Sequence, residues 1–187
     1  SVIKISAQPH VLFVGDSRAA KVFAFELGAA TPATTSTPYN LLGIDLKIAS
    51  LCGVPVEKLA IRDMAIDPIT KEAYVAVHRA GIPAIVRLKQ DGSICPVELR
   101  ALPHTALSLN QQVSPDLVLK NGVAARSLMI TDLELSDGEL FISGLSNAEF
   151  SSTLYRSRYP FSSAAVSTST IEIYHAVHDQ KETRAPI

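Results

Sequence analysis

Two carboxylates stand at matching places in a repeated hexapeptide. Ile61-Arg62-Asp63-Met64-Ala65-Ile66 and Ile130-Thr131-Asp132-Leu133-Glu134-Leu135 both read Ile-x-Asp-(Met/Leu)-x-(Ile/Leu). Carboxylate oxygens brought together from successive modules suit a hard cation such as Ca²⁺. Asp63 and Asp132 are therefore the candidate metal ligands. Their alternative role is local, because an aspartate near a turn commonly accepts hydrogen bonds from neighbouring backbone N–H groups. His78-Arg79 ends an apolar run beside Gly81-Ile82-Pro83. Loops at strand ends often carry binding groups, so His78 and Arg79 form the candidate ligand-binding position.

Other chemistry-bearing residues give weaker patterns. His175 and His178 share one face only on a helix; on a strand, i and i+3 point to opposite faces and do not chelate together. Gly144-Leu145-Ser146-Asn147-Ala148 lacks the second glycine of a nucleophile elbow. Neither a Gly-x-x-x-x-Gly-Lys nor a Gly-x-Gly-x-x-Gly phosphate loop occurs. Tyr155, Arg156, Arg158, Tyr159 and Phe161 make a small basic-aromatic cluster, read as part of a solvated insertion. Cys52 and Cys95 are the only cysteines. They either form one disulfide in an oxidising compartment or act as two small buried hydrophobes. Two cysteines this far apart do not make a zinc site, which needs closely spaced ligand pairs.

The elements expected to position these residues are mostly strands. His10–Asp16 and Lys21–Leu27 read as a hairpin around Ser17-Arg18-Ala19-Ala20. Gly28 to Asn40 is a Thr/Pro/Ala-rich loop. Ile44, Ile48 and Leu51 recur at helical spacing, which predicts one short helix near residues 43–52 ending at about Gly53. From Ala60 to Leu99 four short strands follow: 61–66, 72–78, 84–88 and 94–99. They are separated by Asp67–Lys71, Ala80–Pro83 and Gln90–Ser93, the last with Asp-Gly at its centre. Downstream, Ser136-Asp137-Gly138-Glu139 turns into Leu140–Gly144, which aligns with Ala73–Val77. Residues 145–169 read as a Ser/Ala-rich insertion, and Thr170–Ala176 as a further strand. Lys181–Ile187 reads as the start of an outer strand or a link onwards.

This pattern resembles the YVTN/WD40-like group of repeat β-propellers, through Ile61 to Leu99 and Ile130 to Gly144, although the chain has no Trp. The resemblance implies propeller-like blades of antiparallel strands: a partial blade at 10–27, a blade at 60–99 and a blade at 129–187, within a single β domain of 187 residues. Such rings usually close with more blades than this length provides. The resemblance therefore implies an incomplete ring, finished by a partner or by the remaining blades of a longer chain. It would also put Asp63 and Asp132 on strand ends that line a central channel.

Composition narrows the function classes. Lys and Arg number 17 against 18 Asp and Glu, a net charge of −1, which argues against a nucleic-acid partner. No apolar stretch approaches the roughly 20 residues of a membrane span. The chain begins Ser1-Val2-Ile3-Lys4 and is rich in Ser and Thr, from which an exported protein, periplasmic or extracellular, is expected. The expected role is a non-catalytic binding or scaffold module for a protein partner, with exposed strand edges as the means. The alternative is a propeller-type hydrolase or oxidoreductase with a metal or small ligand in the channel.

Overall fold

The computed structural model describes residues 1–34, 40–161, 166–175 and 180–182. The fold is mostly β, with one α-helix. In chain order the elements begin with β1 (Val2–Ala7), β2 (His10–Asp16), β3 (Lys21–Glu26), the helix α1 (Ile44–Cys52), β4 (Leu59–Ile66), β5 (Ala73–Arg79), β6 (Ile82–Leu88), β7 (Ile94–Pro96) and β8 (His104–Ser108). They continue with β9 (Asp132–Ser136), β10 (Glu139–Leu145), β11 (Ser152–Arg158), β12 (Ser167–Ile171), β13 (Ile173–His175) and β14 (Gln180–Glu182). Three four-stranded antiparallel sheets result, in the orders β1-β2-β3-β8, β4-β5-β6-β7 and β9-β10-β11-β12, with β13-β14 as a separate pair. The chain divides into two compact units, Ser1–Phe13 with Ala24–His104, and Val14–Phe23 with the chain from Thr105 onwards.

In the first unit β5 is an inner strand, and the run Ala73–Val77 is buried on both faces. Its partners on either side fix which residues share a face. Met64, Val75 and Val86 lie abreast, as do Ile66, Ala73 and Leu88. These side chains point to the face that α1 covers, where Ile48 packs among Ala73, Val75, Val77, Val86 and Leu88. Ala65, Tyr74, Arg87 and Cys95 lie abreast on the opposite face. The helix ends as expected: Gly53 takes the left-handed conformation, at φ 65°, and its N–H caps the last turn. Cys52 packs with the α1 cluster, whereas Cys95 points to the other face, where its Sγ lies 3.8 Å from the Arg87 carbonyl oxygen. Both thiols are free, so the disulfide considered above is not formed.

In the second unit the register of the first is reproduced. Asp132 faces Ser143 as Asp63 faces Ala76, and Leu133 faces Ile142 as Met64 faces Val75. The match continues into the third and fourth strands. Phe141, Arg156 and Ser167 lie abreast as Tyr74, Arg87 and Cys95 do. These last strands overturn the reading of 145–169 as an insertion, because β11 and part of β12 fall inside it. Burial alternates along β11 from Thr153 to Arg158, but hydropathy does not, because hydroxyl side chains occupy buried positions. Thr153, Tyr155 and Ser157 share one face and are all buried. Tyr155 is thus a core residue and not part of a solvated cluster.

Candidate functional site

The two aspartates of the hexapeptides hold the same local geometry. Asp63 Oδ1 accepts the Met64 N–H at 2.8 Å, and Asp132 Oδ1 accepts the Leu133 N–H at 2.8 Å. Asp63 Oδ2 also accepts the Ile3 N–H of β1 at 2.7 Å. Both carboxylates thus accept from the N–H that follows them, a local role, and Asp63 also ties β4 to β1. Among the described residues no group of three or more His, Cys, Asp or Glu is gathered. Asp63 belongs to the first unit and Asp132 to the second.

His78 and Arg79 end β5, ahead of Ala80 and Gly81, whose positive φ values of 47° and 83° make the two-residue turn into β6. Arg79 is exposed and pairs across the hairpin with Ile82. His175 ends β13, and His178 lies outside the described residues. Ser146 is buried, accepts hydrogen bonds from the Thr153 hydroxyl at 2.7 Å and the Ala148 N–H at 3.2 Å, and so holds its loop together.

A polar cleft of about 490 Å³ opens in the first unit, at the end of the β4–β7 sheet opposite His78 and Arg79. Its floor is built around Asp67, in the turn between β4 and β5. Pro68 follows directly and bends the chain, and the Asp67 side chain closes the turn. Oδ1 accepts the N–H groups of Ile69 at 2.8 Å and Thr70 at 3.3 Å, and Oδ2 accepts the Thr70 hydroxyl at 2.8 Å. His10 Nε2 completes the set at 3.1 Å from Oδ2, while its Nδ1 lies 2.8 Å from the Gly28 carbonyl oxygen. Both imidazole nitrogens thus face acceptors. Asp67 is fully buried, which alone would raise its carboxyl pKa. The hydrogen bonds from Ile69, Thr70 and His10 outweigh burial and hold it below the ordinary carboxylate value.

Tyr74, Glu72 and Arg87 form the second side of the cleft. Arg87 Nε lies 3.5 Å from Glu72 Oε2. Burial pushes the Tyr74 phenol above its ordinary value, against the pull of Arg87. For Arg87, burial works against the charge. Contacts with Cys95 and Tyr74, and the nearby Glu72 carboxylate, prevail and raise its pKa. The loop after β3 forms the remaining wall with Leu27, Ala29 and Ala33, and is tied down by the Ala33 N–H donating to the Ile69 carbonyl at 3.0 Å.

A second feature of the first unit is apolar. Ile61, Met64 and Ile66 of β4 are 47%, 58% and 45% exposed. They lie on the α1 side of the sheet, on a strand at the sheet's end. Their counterparts in the second hexapeptide behave differently: Ile130 and Leu133 are buried and Leu135 is half-buried.

Sequence reasoning read Asp67-Pro68 as a turn and missed what the turn builds. The cleft residues His10, Asp67, Tyr74 and Arg87 come from four separate segments. The one local signal was the Asp-Pro pair. No family model, no curated protein and no solved structure matches the chain. Among the described residues no helix is long and apolar enough to cross a membrane.

Proposed function

We propose that the chain is a non-catalytic binding module of repeat β-propeller type, which holds a protein partner against the exposed apolar row of β4. The observation that carries this reading is the contrast between the two hexapeptides. The same residue pattern that is buried at Ile130 and Leu133 stands half in water at Ile61, Met64 and Ile66. Covering the three side chains would contribute about 1 kcal/mol each, because roughly half of each remains to be desolvated. β4 is also an end strand, and end strands pair readily with extended segments of other chains. The matching register of the two four-stranded meanders supports the repeat-module part of the reading.

The test compares wild type with the double variant Ile61→Glu, Met64→Glu. Both side chains are well exposed, so the variant keeps its fold, as checked by circular dichroism. The reading expects a partner, or a second copy, to co-purify with wild type and to be lost from the variant. A sharply monodisperse wild-type monomer with no captured partner overturns it. So does capture that the two glutamates leave unchanged.

A further inference from the structure

We infer that the cleft between the Asp67 turn and the Arg87 rung binds an uncharged mono- or disaccharide. Its volume of about 490 Å³ falls within the range of small-molecule sites. The chemical class follows from how its charges are arranged. Each basic side chain already faces a carboxylate: Arg87 has Glu72 at 3.5 Å, and His10 has Asp67 at 3.1 Å. An anion would have to draw Arg87 away from Glu72, and a cation would have to do the reverse. Neither gains from a cleft that is balanced in this way.

A hydroxyl group both donates and accepts, so a polyol suits a cleft whose lining carries guanidinium, carboxylate, amide and hydroxyl groups together. Arg87 and Glu72 reach the opening, with side chains 36% and 17% exposed. Thr31 and Gln90 also line the cleft; the Gln90 amide nitrogen donates to the Lys71 carbonyl at 2.6 Å, and its amide oxygen is an acceptor. Asp67 is fully buried and positions His10 instead of meeting the ligand. Leu27, Ala29 and Ala33 also line the cleft and offer apolar surface to the C–H face of a sugar ring.

The experiment is saturation-transfer NMR followed by titration with glucose, N-acetylglucosamine and maltose, set against acetate, phosphate and glycinamide. Wild type is expected to bind at least one of the sugars saturably and none of the charged probes. Ala29→Phe fills the cleft from an exposed loop position without touching the polar network, and should weaken that binding about tenfold or more. Glu72→Gln leaves Arg87 without its counter-charge, and acetate should then bind where it did not before. Wild-type binding of phosphate or acetate overturns the ligand class, as does binding of glycinamide. Absence of sugar binding, or sugar binding indifferent to Ala29→Phe, overturns the site. A Glu72→Gln protein that gains no acetate affinity overturns the charge argument. None of these readouts involves β4, so the inference stands or falls apart from the proposed partner surface.

Discussion

His10 Nε2 stands 3.1 Å from Asp67 Oδ2, a pairing made across 57 positions of sequence. It joins the start of β2 to the turn after β4, and the turn itself supplies the other donors to the same carboxylate. Asp67 therefore stabilises the first unit mainly in its ionised form. Its folded pKa lies below the ordinary value of 3.8, so the native state binds fewer protons than the unfolded chain. The resulting stability is present above the ordinary carboxyl range and is lost as pH falls through it towards the depressed folded value. Asp67→Asn should cost about 2 kcal/mol at neutral pH, the scale of hydrogen bonds to a buried charged group. Urea midpoints of wild type and variant should converge on acidification. A gap that stays constant from neutral pH down to the acid limit would show that the ionised form contributes nothing.

Gly144 makes a different kind of demand. A Cβ added there would overlap the Met129 carbonyl oxygen and press on the Leu128 carbonyl. Both obstacles are backbone, so no side-chain rotation relieves them. Gly144→Ala should destabilise the second unit by about 2 kcal/mol or more, as overpacking of a filled core does. Gly81 serves as the control. It needs its positive φ of 83° but has open space around it, so its alanine variant bears only the backbone cost of about 1 kcal/mol. Chemical denaturation of the two variants checks the order; equal costs would remove the close-approach argument.

The strands that alternate apolar and polar residues, or run apolar throughout, were legible in the sequence, as at Ile61–Ile66 and Leu140–Gly144. So was the helix, from Ile44, Ile48 and Leu51. β11 was not, because Ser152, Thr153 and Ser157 put hydroxyls where a buried strand usually carries Val or Ile. β1 was passed over at the chain start, although Ile3 and Ile5 alternate with polar residues and are both buried. The cleft was illegible for a physical reason. Asp67 shows its local turn in the sequence, but nothing local reveals that its fourth donor is His10, or that Tyr74 and Arg87 share a rung. Those relations exist only once strand register is fixed. For Asp63 and Asp132 the equivalence of position was legible in the paired hexapeptides, and the fold adds the shared hydrogen bond to the following N–H.

Tyr155 carries a prediction for alkaline pH. Burial pushes its phenol up to about 12, against smaller opposing effects of Ser146 and Arg126. Its hydroxyl lies 3.4 Å from the Leu145 carbonyl oxygen. The folded state holds this proton more tightly than the unfolded chain, whose phenol ionises near 10.0. The associated stability is therefore complete below pH 10 and falls as pH climbs towards 12. A phenolate absorbance titration should show Tyr155 ionising only near pH 12 or together with unfolding, with Tyr74 also raised above the ordinary phenol value. Tyr155→Phe should remove that late step and cost under about 1 kcal/mol at neutral pH, since the hydrogen bond is long. A complete titration at the ordinary phenol value in the folded protein would place Tyr155 in contact with water.

Arg126 ties its own segment to two others of the second unit, at Arg18 and at Gln112-Val113. Its Nε donates to the Arg18 carbonyl at 3.1 Å, one terminal nitrogen donates to the Val113 carbonyl at 2.7 Å, and the other to Gln112 Oε1 at 2.9 Å. Nearby, the Val113 N–H donates to the Met129 sulfur at 3.2 Å, so Val113 is held through both its backbone groups. The planar fork of a guanidinium reaches three separated acceptors; a compact ammonium on a flexible four-carbon stem reaches one or two. Arg126→Ala should cost about 2 to 3 kcal/mol, and Arg126→Lys should recover less than half of it, because geometry and not charge is what the site uses. Hydrogen exchange at Val113 and its neighbours reports the local effect before global unfolding does. The role assigned to the fork requires faster exchange there in both variants. Wild-type protection and stability in Arg126→Lys would mean that any cation suffices, and the three-way tie would then contribute nothing that a single charge does not.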